Sequence, residues 1–159
     1  MTKTSPTPSL VGLAVPDFTA PATSGEFTLS AHHGHPVVLY FYPRDNTPGC
    51  TTQAQQFRDL HAEFVKAGCV VVGISRDSLK SHENFKAKLG LPFELISDIE
   101  GTLCRMFDVV RNKVLYGKKV LGIERSTFLI DADGKVRQEW RSTKADGNAT
   151  AVLDAMMKL

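Results

Sequence analysis

The residues best suited to covalent chemistry are three cysteines, Cys50, Cys69 and Cys104. Of these, Cys50 sits in a setting that activates a thiol. It closes the stretch FYPRDNTPGC, Phe41 to Cys50, where an apolar run ends and a helical pattern begins. Pro48 and Gly49 break the path of the preceding strand, so Cys50 falls in or just before the first helical turn. Backbone N–H groups there lack helical acceptors, and with the helix dipole they favour negative charge. The thiolate is the reactive form of cysteine, and such a position favours it. Thr47, three residues earlier, has a hydroxyl available as a donor. A lone cysteine is as readily a small buried hydrophobe. Two prolines, a glycine and a threonine around the sulfur weigh against that reading here.

The other two cysteines do not complete a known framework. Their count is odd and no Cys-x-x-Cys is present, which disfavours a disulfide scaffold, a zinc site and a dithiol oxidoreductase. At least one thiol is free, which fits a reducing compartment. The first ten residues are polar, proline-dotted and expected to be flexible; lacking the apolar core of a secretory signal, they point to a cytoplasmic protein. The net charge of +2 comes from scattered Lys and Arg, so no nucleic-acid partner is expected. No apolar stretch reaches membrane-span length, so no membrane partner is expected either. His32, His33 and His35 cluster in AHHGHP but have no second ligand group nearby in sequence, and a solvated loop is expected. His61 and His82 are expected at the surface of helices, neither serving Cys50 as a base. No glycine-rich loop follows a strand, and DADG at Asp131 to Gly134 is turn chemistry, so neither cofactor nor metal is expected.

The elements that must position Cys50 are legible from periodicity. VVLYFY (Val37 to Tyr42) and VVVGIS (Val70 to Ser75) read as strands buried on both faces. Between them Thr51 to Lys66 repeats apolar residues at helical spacing, giving a right-handed βαβ unit. Ser78 to Leu89 reads as a helix with Ser78 as cap and Gly90 beyond its end. PFELIS is a short strand, and DIEGTLCRMF a helix with Leu103, Met106, Phe107 and Val110 on one face. Ser126 to Trp140 reads as a hairpin turning at Asp133-Gly134, and Asp146 to Lys158 as a last amphipathic helix. An early hairpin turns at Ser24-Gly25. The 159 residues suit one domain, an α/β three-layer sandwich.

YPRDNTPGCTTQAQQFRD, Tyr42 to Asp59, resembles the active-site segment of peroxiredoxins. The similarity is greatest to the branch called PrxQ, or bacterioferritin comigratory protein. The family pattern of Pro, three residues, Thr or Ser, two residues and Cys is met by Pro43, Thr47 and Cys50. PDFTAPATSGE, VVVGISRDS and ERSTFLIDADGKV follow in the family's order, so the resemblance covers the chain after its first ten residues. It implies a thioredoxin-like fold, a central mixed sheet flanked by helices, and thiol-dependent reduction of hydrogen peroxide or organic hydroperoxides. It also implies Cys50 as the peroxidatic nucleophile, Thr47 and Arg125 as groups bonding the peroxide oxygens, and Pro43 as a wall shielding the sulfur. An arginine suits such a place because its fork stays charged while it bonds oxygen. The relatives imply a monomer.

The pattern breaks after the nucleophile. Where many PrxQ proteins carry a resolving cysteine, this chain has Gln55, and the acidic residue expected three after the cysteine is Gln53. The helix around Ser81 to Lys88, another home of the resolver, has no cysteine. The expected course is therefore a one-cysteine mechanism, with thioredoxin, glutaredoxin or glutathione reducing the sulfenic acid. Cys104 as resolver and, less readily, Cys69 in its strand are the two-cysteine alternatives. A non-enzymatic peroxide sensor shares the first chemical step, and the two are told apart by turnover.

Overall fold

The computed structural model describes residues 8–159, leaving aside the side chains of 113–115 and 119–121. The expectation of a loose segment over residues 1–10 lies mostly outside the described residues. The chain runs through β1 (Thr19–Ala22), β2 (Gly25–Thr28), a 3-10 turn (Leu29–His32), β3 (Val37–Phe41) and α1 (Pro48–Lys66). It continues through β4 (Val70–Ser75), α2 (Leu79–Leu89), β5 (Glu94–Ser97) and α3 (Thr102–Met106). The last elements are β6 (Val110–Leu115), β7 (Lys118–Ile123), β8 (Ser126–Ile130), β9 (Val136–Trp140) and α4 (Asn148–Met156).

Seven strands form one mixed sheet in the order β2-β1-β5-β4-β3-β8-β9. β3, β4 and β5 run parallel, as the βαβ reading requires, while β8 returns antiparallel beside β3. All five residues of β3 are buried, because both faces of the sheet are covered. On one face Val38, Tyr40 and Tyr42 pack with Ala54, Phe57 and Phe64 of α1, Phe85 of α2 and Val152 of α4. On the other, Leu39 and Phe41 pack with Leu103, Phe107 and Ile123. Tyr40 and Gly73 are cross-strand partners in the parallel β3–β4 pair. A Cβ on Gly73 would lie 2.8 Å from ring atoms of Tyr40 and from Leu95 Cδ2, so only glycine leaves the ring its place.

The expected elements form, with three local differences. The first hairpin turns at Thr23 and Ser24, and Gly25 opens β2 instead of closing the turn. α3 stops at Met106, because Asp108 takes a left-handed φ of 55° and reverses the chain, so Val110 enters β6 instead of the helix face. The β6–β7 hairpin was not expected from the sequence; it pairs Val110 with Ile123 at its base and forms a separate two-stranded sheet. The α2 expectation holds in detail: the Ser78 side chain accepts from the Ser81 N–H at 3.1 Å, and Gly90 is left-handed at φ 66°. Gly73→Ala is expected to lower the urea midpoint by the equivalent of about 1–3 kcal/mol, the cost of overpacking a filled core. An unchanged midpoint would show that Tyr40 and Leu95 yield without cost.

Candidate active site

The register of β3 on β8 assembles the site. Phe41 is opposite Ser126, so the chain leaving β3 and the residue entering β8 meet at one end of the sheet. From the first side comes the loop to α1, with Thr47 as N-cap, Pro48 in the first turn and Cys50 within it. From the second comes Arg125, whose carbonyl is held by the Thr143 N–H at 3.0 Å. Its guanidinium Nη2 lies 3.4 Å from Cys50 Sγ. Gly49 explains how it gets so close: a Cβ there would stand 3.1 Å from Nη2. The opposite fork, Nη1, donates to Gln53 Oε1 at 2.6 Å. Gln53 in turn donates through Nε2 to Asn148 Oδ1 at 2.9 Å, where the Thr127 hydroxyl also donates at 2.8 Å. Thus α1, β8 and α4 together fix the guanidinium against the sulfur, and Cys50 is only 2% exposed.

Thr47 and Pro43 occupy the expected loop but with qualifications of detail. The Thr47 hydroxyl donates to the Arg44 carbonyl at 2.8 Å, so its proton is engaged and its lone pairs are what it offers. Pro43 is exposed, at the end of the buried run Phe41-Tyr42.

The loop is anchored from below by a network that sequence reasoning missed. His82, expected at the surface, is fully buried. It lies three residues before Phe85 on the inward stripe of α2, which is the signal that could have placed it. Its Nδ1 meets Asp45 Oδ2 at 2.7 Å and its Nε2 meets the Ile96 carbonyl at 2.9 Å. Asp45 also accepts from the Tyr42 hydroxyl at 2.6 Å and the Ser81 hydroxyl at 2.8 Å, while its own N–H donates to Asp77 at 2.8 Å. Asp45, Asp77 and His82 are near enough to one another to suggest a cation site, yet both ring nitrogens of His82 are already bonded. The cluster reads as a tie between the Cys50 loop, α2 and β5. His61 is half-buried, its ring 5.8 Å from that of Phe93.

Cys69 and Cys104 are both buried free thiols. Burial pushes the Cys69 thiol up to about 12. Burial, followed by a hydrogen bond with Asp98 and that residue's charge, pushes Cys104 up as well. Both are therefore protonated at neutral pH, unlike an attacking thiol.

A family model, AhpC/TSA, matches residues 11–139. Peroxiredoxin Bcp of Xanthomonas campestris pv. campestris is 57% identical over 129 residues, 81% of each chain. Peroxiredoxin Bcp of Bacillus subtilis is 44% identical over 147 residues, 92% of this chain and 94% of that one. A solved structure of Xanthomonas campestris bacterioferritin comigratory protein, studied for alkyl peroxide reduction, superposes with a TM-score of 0.87 at 50% identity. It covers 93% of this chain and 98% of that chain.

Burial works to raise the Asp45 carboxyl, but hydrogen bonds from His82, Tyr42 and Ser81 outweigh it and hold it below its usual 3.8. The stability from this tie is thus complete above the unfolded value and is lost as pH falls through the lower folded one. Asp45→Asn is expected to lower the melting temperature at pH 7 and to flatten its decline below about pH 4. A variant with the same acid limb as the parent would contradict this.

Proposed function

This chain belongs to the AhpC/TSA family and is a peroxiredoxin of the bacterioferritin comigratory branch, and from that premise we propose that it reduces alkyl hydroperoxides and hydrogen peroxide through Cys50 alone. The observation that carries the reading is the 3.4 Å approach of Arg125 Nη2 to Cys50 Sγ at a helix start. The Cys50 thiolate attacks one peroxide oxygen in line. An S–O bond forms as the O–O bond breaks, and two electrons pass from sulfur to the departing oxygen. That oxygen leaves as hydroxide or alkoxide and takes a proton from water, and the cysteine is left as a sulfenic acid. Arg125 steadies the charge spreading over the breaking bond, and the Thr47 hydroxyl accepts from the peroxide O–H. Pro43 closes the outer side of the sulfur's pocket.

The resting chain then needs a reductant. Cys69 and Cys104 are buried and protonated, which supports reduction by an outside thiol. That thiol displaces water from the sulfenic acid to form a mixed disulfide, and a second thiol, from glutathione, glutaredoxin or thioredoxin, releases Cys50 by exchange. Cys50, 2% exposed, is within reach of a small peroxide, whereas a protein thiol requires the segment from Pro43 to Cys50 to open. Three free thiols suit a reducing compartment. One domain of 159 residues carries all of this, its sheet running from residues near the start to β9.

The test is steady-state peroxide consumption with thioredoxin and glutaredoxin systems in parallel. Cys50→Ser is expected to abolish turnover, while the Cys69→Ser, Cys104→Ser double variant keeps it within about twofold, as substitutions away from the chemistry do. One equivalent consumed and then arrest would identify a sensor. Mapping of protein treated with peroxide and then with glutathione is expected to show a glutathione adduct on Cys50, and an internal peptide joining Cys50 to Cys104 would contradict the one-cysteine mechanism.

A further inference from the structure

Among the described residues, two buried side-chain polar atoms lack a hydrogen-bond partner: the Tyr40 hydroxyl and Asn148 Nδ2. Both are linked to the surroundings of Cys50. Asn148 holds Gln53, one helical turn after Cys50, and Tyr40 shares the apolar layer in which Cys50 itself is packed. Tyr40 is 1% exposed and its ring packs against three other rings. Phe57 lies 4.6 Å from it, Tyr42 5.5 Å and Phe93 5.9 Å, centroid to centroid, and Gly73 gives it its seat. The hydroxyl therefore cannot swing out to water for a partner. Burial raises it well above the usual tyrosine range, and the charge of Cys50 adds more to that than Asp45 does, with Arg125 opposing both. It is a donor without a partner in the same packed layer as Cys50.

An unpaired buried hydroxyl costs free energy, and a phenylalanine would fill the same space without that cost. The hydroxyl can be satisfied by an acceptor that exists in only one state of the protein. Oxidation of Cys50 creates one, the sulfenate oxygen, on a side chain that can turn about its Cα–Cβ bond. We propose that Tyr40 is an internal hydrogen-bond donor outside the peroxide-reducing step, one that receives the Cys50 sulfenate oxygen and delays its second oxidation. The inference rests on the reading of Cys50 as the peroxidatic residue. Over-oxidation needs the sulfur of the sulfenate to attack a second peroxide, forming another S–O bond as the O–O bond breaks and leaving a sulfinate and water or alcohol. A hydrogen bond from Tyr40 draws charge from that sulfur and keeps the group turned inward. A chain without a competent internal thiol needs this delay, because its sulfenate must wait for an outside thiol.

The test compares wild type with Tyr40→Phe, without reductant, under one and then many equivalents of cumene hydroperoxide. Single-turnover oxidation, followed by the fluorescence of Trp140, the one tryptophan, is expected to change by less than about twofold. Conversion from one added oxygen to two, read by intact mass with dimedone trapping, is expected to be about tenfold faster in the variant, the worth of one hydrogen bond to a charged oxygen. The reduced variant is expected to melt no lower than wild type, while singly oxidised wild type gains melting temperature that the variant does not. Equal rates of second oxidation, or equal gains on single oxidation, would overturn the role of Tyr40 while leaving Cys50 in place. No dimedone adduct on Cys50 in wild type would overturn both.

Discussion

The structure turns on one contact, the guanidinium of Arg125 held against the sulfur of Cys50. A charged fork and a buried sulfur do not stay together unaided, since the guanidinium would regain water by turning away. Three features prevent this. Glycine at position 49 leaves room for Nη2, Gln53 engages the opposite side of the fork, and Asn148 with Thr127 fixes Gln53. The acceptor beyond the fork is an amide, not a carboxylate. The positive charge of Arg125 is therefore not neutralised from behind and is directed toward the sulfur and the oxygens proposed to react there.

That contact could not be held by a floppy loop. Residues 43–47 leave β3 with Asn46 in a left-handed conformation at φ 65°, a backbone state that asparagine tolerates better than most residues. The buried Asp45 gathers Tyr42 from β3's end, Ser81 and His82 from α2, and the backbone reaches Asp77 beyond β4. The mouth of α1 is thus tied to three elements that the sheet already fixes. Packing, hydrogen bonding and the proposed chemistry share the same few residues, so a change at Asp45 or Gln53 acts on stability and site geometry together.

Much of this was legible in the sequence. The continuous apolar runs at Val37 and Val70, with a helical pattern between, dictated parallel strands and the crossover, and with them the place of Cys50. Pro43 and Arg125 came from the family resemblance, Thr47 from its place before Cys50 as well, and in the structure Arg125 Nη2 lies 3.4 Å from the sulfur. His82 was misplaced because a polar type was read as a surface position, although its spacing to Phe85 lies on the buried stripe. The β6–β7 hairpin was missed because RNKVLYGKKVLGI mixes lysines into its alternation, and Val110 was assigned to a helix that Asp108 ends. The Gln53–Asn148 link joins residues 95 apart, and no local pattern reports such a pairing. Nor could spacing reveal that the Thr47 hydroxyl would turn to Arg44.

The most direct test is stopped-flow oxidation of Cys50 by peroxide in Arg125→Ala, with the melting temperature measured alongside. If the guanidinium stabilises the charge on the breaking O–O bond, the second-order rate constant falls by about 10²–10³ while the fold is kept. An unchanged rate in a folded variant would show that Arg125 packs beside the sulfur without serving the reaction.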